Sequence, residues 1–178
     1  AAVQNRIRRA RALQQMPDPG RNPLTGLNSR LQLLQHLAEA IPAVPRGALG
    51  FVEVEGITPL RDRYGYAGLE TILTDAGRHL RTLVGDASAT RLNDNTFLVF
   101  APDVARIDLD AWARSLRDGI GSHPFPLADQ TIRLRALVGY ADLVHGYDDP
   151  GSALAAAEQA LRESRGTPVG IAVHMPAP

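Results

Sequence analysis

The sequence contains no cysteine and carries no net charge, and each absence removes a class of function. Without cysteine there is no disulfide framework, no thiolate nucleophile and no cysteine-ligated metal. That absence fits a reducing, cytoplasmic setting. Lys+Arg and Asp+Glu both number 19, so no global field steers the chain toward nucleic acid or an anionic membrane. Aromatic residues make up only 5%, and no aromatic-rich strand motif of the kind that stacks RNA bases is present. No apolar run approaches the ~20 residues needed to cross a bilayer. The five histidines (His36, His79, His123, His145 and His174) show no i, i+2 or i, i+4 pairing, which argues against a zinc site. Neither G-x-x-x-x-G-K-[ST] nor G-x-G-x-x-G occurs.

What is present is an ordinary globular composition, with 44% hydrophobic and 21% charged residues in 178. That length supports one sizeable core. The chain opens Ala-Ala, followed by Arg6, Arg8, Arg9 and Arg11 without an apolar signal core, and reads as a segment of a longer protein. Over residues 3–16, Val3, Ile7 and Ala10 form a short helical seam that stops at Pro17-Asp18-Pro19-Gly20. Two readings stay open: a connector from an upstream module with its hinge (1–20), or a frayed terminal helix. Residues 21–178 read as the domain proper.

The spacing predicts a helix from an Asn28-Ser29 cap through LQLLQHLAEAI, ending before Pro42. GALGFVEV (47–54) is a β-branched apolar run, expected as a strand buried on both faces. In 69–84, Leu69, Ile72, Leu73, Ala76, Leu80, Leu83 and Val84 share one helical face. SATRL and FLVFA flank Asn93-Asp94-Asn95-Thr96 as a hairpin. A helix over 107–119 buries Leu109, Trp112 and Leu116. One strand is expected over 130–143, a helix over 152–165 and a last short strand over 169–174. The order α–β–α–hairpin–α–β–α–β implies an α/β (α+β) fold, a mostly antiparallel sheet covered by helices.

Five stretches now carry a family likeness. Asn22–Arg30 (NPLTGLNSR) resembles the D-x-L-T-G-L-x-N-R signature of GGDEF domains, the diguanylate cyclase family. FVEVEGITPLRDRYGY (51–66) stands where that family has L-D-I-D-x-F-K and N-D-x-Y-G-H. Arg91–Phe97 (RLNDNTF) stands in place of R-x-G-G-D-E-F, Leu137–Ala141 in place of S-I-G-V-A, and Ala157–Arg165 in place of A-D-x-A-L-Y-x-A-K. The resemblance runs from residue 22 to about 174. It implies the family's five-stranded sheet and a relation to the enzymes that join two GTP molecules into cyclic di-GMP.

The same alignment implies that the chemistry is gone. The two glycines that admit phosphate to the hairpin are Asn93 and Asp94 here, which add side chains and one negative charge. The acidic pair is replaced by Asn95 and Thr96, neither of which carries the anionic oxygen that magnesium prefers. Glu53 stands where the first strand's metal-binding Asp would be. Beside Glu55 it reads more readily as an edge or solvent-facing carboxylate than as half of a metal pair. Of the nucleotide contacts, the guanine-binding Asn falls at Arg61 and the Asp at Glu70. The phosphate-binding Lys falls at Arg165, and the Arg four residues beyond it falls at Val169. The inhibitory product site, R-x-x-D in the family, is Val84-Gly85-Asp86-Ala87. For the NDNT knot itself, a plain turn using positive φ at Asn or Asp is the simpler reading, with a residual ligand site as its rival.

The resemblance therefore leads us to expect no catalytic residue, no metal and no cofactor. It implies a non-catalytic GGDEF-like module for dimerisation, domain coupling or docking. Its partners would be an upstream sensor and a downstream EAL-type domain, a signalling protein or a second copy. The alternative is a domain that binds GTP without turnover through Glu70, Arg165 and the Asn95 amide.

Overall fold

A computed structural model describes residues 21–41, 43 and 46–176; the seam over 3–16 and the hinge at 17–20 lie outside the described residues. In chain order the elements are α1 (Arg30–Ala40), β1 (Ala48–Glu55), α2 (Ile57–Val84), β2 (Ser88–Arg91), β3 (Thr96–Ala101), α3 (Leu109–Ser122), β4 (Phe125–Leu127), β5 (Gln130–Ile132), β6 (Arg135–Asp142), α4 (Pro150–Ser164) and β7 (Ile171–Val173). Five strands form one sheet in the order β2-β3-β1-β6-β7. The pairs β2–β3, β3–β1 and β1–β6 are antiparallel, and β6–β7 is parallel. The mixed, mostly antiparallel five-stranded sheet implied by the sequence is the architecture observed.

Period-2 alternation in the central strands feeds two cores. From β1 and β3, Val52, Val54, Phe97 and Val99 point to one face, where they meet Leu73, Leu80 and Leu116 of α2 and α3. Leu49, Phe51, Leu98 and Phe100 point to the other, against Leu33 and Leu37 of α1 and Leu161 of α4. This two-sided burial is why β1 and β3 read as nearly unbroken apolar runs. The alanine-rich inner face of α4, with Ala153, Ala157 and Ala160 fully buried, lets that helix lie close to β6. At Gly139 the approach is so close that a Cβ would collide with the backbone of Leu161.

Caps fix two helix starts. Ser29 accepts the Gln32 N–H at 3.1 Å to open α1, and Asp149 accepts the Ser152 N–H at 2.7 Å to open α4 ahead of Pro150. Helix α2 is longer than expected. It begins after Gly56 and passes through a kink at Gly65 (φ 74°, ψ 178°), so residues 57–64 form a first helical limb. The strand expected over 130–143 is two strands, and β5 pairs with an unforeseen β4 in a separate hairpin. Trp112, expected as core, is only half-buried.

Candidate functional site

The hairpin between β2 and β3 turns at residues 92–95. Thr96, expected within the turn, is instead the first residue of β3 and lies directly opposite Glu53 of β1. No left-handed backbone is used, since Ala128 is the one non-glycine of positive φ among the described residues. A main-chain bond and a side-chain bond close the turn instead. The Leu92 N–H donates to Thr96 O at 2.9 Å, and the Asn95 N–H donates to Asn93 Oδ1 at 3.3 Å.

Arg91 is the centre of this end of the molecule. Its Nε donates to the carbonyls of Asn93 and Asp94, both at 3.2 Å, and its Nη2 donates to Asp94 O at 2.7 Å. The same guanidinium binds Glu70 of α2 in a fork, Nη1 to Oε1 at 2.6 Å and Nη2 to Oε2 at 3.0 Å. That bidentate contact holds the Glu70 carboxyl below the usual carboxylate range, against the opposing effect of its partial burial. Arg30 of α1 also donates to the Leu92 carbonyl. One arginine thus ties the loop to α2, and a second ties it to α1. Sequence reasoning gave no role to either, although Arg91 was in view as the first residue of the motif.

On the other side of the loop, Asn95 is consumed by the sheet. Its side-chain Nδ2 donates to Val54 O at 2.8 Å, while its carbonyl accepts the Val54 N–H at 2.8 Å. Thr96 is 8% exposed. Glu53 sits on the central strand, not at an edge, and its side chain is 15% exposed. Arg165, at the C-cap of α4, covers it with Nη2 2.5 Å and Nε 3.2 Å from Oε2. Glu55 is paired in the same way with Arg135 at 3.0 Å. The edge reading of these glutamates is therefore corrected: β1 is flanked on both sides, and each carboxylate is neutralised by an arginine.

Of the sequence-singled residues, Glu53 and Arg165 come together, and Glu70 meets Arg91. Arg61 belongs to neither cluster, and its guanidinium lies 5.5 Å from the Tyr66 ring centroid. Asp94 stands at the exposed tip, with no side-chain partner among the described residues. A cavity of about 230 Å³ opens beside the Glu70–Arg91 fork, lined by Leu24, Thr25, Thr74 and Thr90 among others.

The residues present do not fit a divalent metal. Around the loop, Glu53 and Glu70 are each paired with an arginine, and Asp94 points its carboxylate out at the exposed tip. The Asn95 amide is bound to main chain and the Thr96 hydroxyl is buried, where such an ion wants several anionic oxygens converging on one point. Among the described residues no group of three or more His, Cys, Asp or Glu could hold an ion. No helix among them is long and apolar enough to cross a membrane.

Comparisons with known proteins agree with this architecture. Among solved structures, the GGDEF domain of YfiN (TpbB) from Pseudomonas aeruginosa superposes with TM-score 0.78 at 20% identity, covering 86% of this chain and 99% of that one. The GGDEF domain of DgcB from Caulobacter crescentus, determined in complex with c-di-GMP, gives TM-score 0.75 at 15% identity, with 89% and 98% covered. A 19.3 kDa uncharacterised Streptomyces ambofaciens protein is 30% identical over 151 residues, 82% of this chain and 78% of its own length. An uncharacterised Mycobacterium tuberculosis protein is 27% identical over 164 residues, which span only 26% of its length. Residues 21–168 match the family described as "Diguanylate cyclase, GGDEF domain". With that match reaching from the LTGL stretch past α4, the chain belongs to the GGDEF domain family.

Proposed function

We propose that this domain is a non-catalytic regulatory module of cyclic di-GMP signalling, acting through dimerisation, domain coupling or partner docking. The observation that carries this reading is the Glu53–Arg165 pair at 2.5 Å. The one carboxylate left at the position of a metal ligand is taken by the one cation left at the position of a phosphate ligand. Loading Mg²⁺ and GTP would require breaking that contact, and the loop offers Asn95 and Thr96 in exchange, neither with an anionic oxygen. Phosphoryl transfer needs metal-neutralised phosphates and in-line positioning, and a site whose Glu53 is paired to Arg165 offers little to hold the metal. Binding without turnover is the weaker reading, because Glu70 is engaged by Arg91 and the Asn95 amide by Val54. In its cellular setting the module works alongside further domains, such as an upstream sensor or a downstream EAL-type unit, or with a second copy. The similar segment of the M. tuberculosis relative, a quarter of that chain, fits such use.

The test is incubation of the domain at high concentration with GTP and Mg²⁺, followed by chromatography of the nucleotides. No cyclic di-GMP is expected, with GTP recovered intact. Formation of the dinucleotide above a protein-free control would overturn the proposal.

A further inference from the structure

A second cavity lies at the far end of the hairpin, where β2 begins and β3 ends. It encloses about 480 Å³, within the ~300–1,000 Å³ range of small-molecule sites. Trp112 of α3 forms its apolar wall and is set edge-on against Tyr140 at 5.8 Å between ring centroids. His36 of α1, from the helix layer on the other face of the sheet, forms a second wall. Its Nδ1 lies 3.2 Å from Ser88 Oγ, and its ring meets Phe100 edge-on at 5.2 Å. Imidazole and hydroxyl thus contact each other along one side of the cavity.

The charge in this cavity has one sign. Asp86 and Asp103 line it, and no Lys or Arg does so among the described residues. Neither carboxylate has an ion-pair partner there. The stretch from Val84 to Ala87 is also where the family resemblance puts the inhibitory product site, yet the arginine of that site is Val84 here, and Asp86 faces the cavity. An anion would meet two carboxylates and no counter-charge. A cation would meet both carboxylates beside the apolar surface of an indole, a combination that favours organic ammonium groups.

We propose that this cavity binds a small organic cation, an amine or quaternary ammonium compound. Its charge lies between Asp86 and Asp103, and its carbon frame lies against Trp112. The inference is independent of whether the hairpin turns over GTP.

Trp112 is the only tryptophan in the chain, so its emission reports on this cavity alone. The protein is titrated with spermidine and with choline at constant ionic strength, by emission and by calorimetry. A saturable response to at least one of the two is expected, weakened about tenfold or more in the D86N/D103N double variant. Magnesium chloride and cyclic di-GMP are expected to leave the emission unchanged. Both aspartates are exposed, so the variant should keep its melting temperature. If it does not, the single variants D86N and D103N, each expected to weaken binding about threefold or more, keep the test decisive. Silence in both emission and heat, equal affinity in all variants, or preference for cyclic di-GMP would overturn the proposal.

Discussion

The middle of the sheet and the tip of its hairpin lie only a few residues apart in β1 and β3, yet different constraints govern them. In the middle, Leu98, Phe100 and Gly139 are locked between two helix layers, and little but a residue of the same shape fits. At the tip, Asn93, Asp94 and Asn95 occupy positions whose family residues are defined by ligand chemistry, and the turn closes around arginine and amide contacts instead. A fold is held by its packing and a reaction by a few oxygens, so the second can be lost while the first persists. The loop has not been left empty. Arg91 binds the loop carbonyls and Glu70, and Arg165 binds Glu53.

That contrast breaks most visibly in the core. Phe100→Ala should cost about 3–5 kcal/mol in urea denaturation, whereas Asp94→Gly at the exposed tip should stay within about 0.5 kcal/mol. Equal effects would mean that the loop is as constrained as the sheet.

Putting the acidic pair back is the next largest perturbation. The double substitution N95D/T96E removes the amide donor to Val54 and sets a second carboxylate opposite Glu53. A loss of about 2 kcal/mol is expected, read from thermal melts without metal. Cyclic di-GMP should remain undetectable, because Arg165 still covers Glu53.

Arg165→Met leaves Glu53 on a central strand with no counter-charge. Since Arg165 is half exposed, the cost should be modest, about 1–2 kcal/mol. Adding Glu53→Gln should recover part of it in a double-mutant cycle. Additive losses would deny the coupling.

Much of the fold could be read from the residues because local and global signals agree there. The Ser29 cap, the two-sided apolar runs of β1 and β3, and the single buried stripe of α2 after Leu69 all carry their periodicity in plain sight. The first limb of α2 was not legible, since ITPLRDRYG places Pro59 and Gly65 where they read as breakers. Pro59 falls in the first turn, where it is tolerated, and Gly65 makes the kink. The β4–β5 hairpin escaped because its strands are three residues each and turn at Ala128 with φ 55°. At the site, the motif positions were legible, but the partners were not. Glu53 and Arg165 are 112 residues apart, and nothing local announces their meeting.

The histidines make the same point and supply the smallest predicted effect. His79 and His123, unpaired in sequence, stack with ring centroids 3.9 Å apart and an interplanar angle of 22°, with Phe125 edge-on to both. Burial lowers the His79 pKa, the neighbouring His123 lowers it further, and the Gly119 carbonyl partly opposes them. The unfolded chain then binds this proton more readily than the native one. Stability should be intact above the ordinary histidine value and fall as pH drops below about 6.5. Partial exposure keeps the effect under about 1 kcal/mol. Urea midpoints at neutral and mildly acidic pH, compared with those of His79→Gln, would read it. A pH-independent midpoint would contradict the assignment.

The most direct test of the central claim is an amide NMR titration of the domain with GTP in excess Mg²⁺. If the hairpin is internally satisfied, the signals of Asn93, Asp94, Asn95 and Thr96 stay in place to millimolar nucleotide. Saturable shifts at those four amides, accompanied by changes at Glu53 and Arg165, would contradict it.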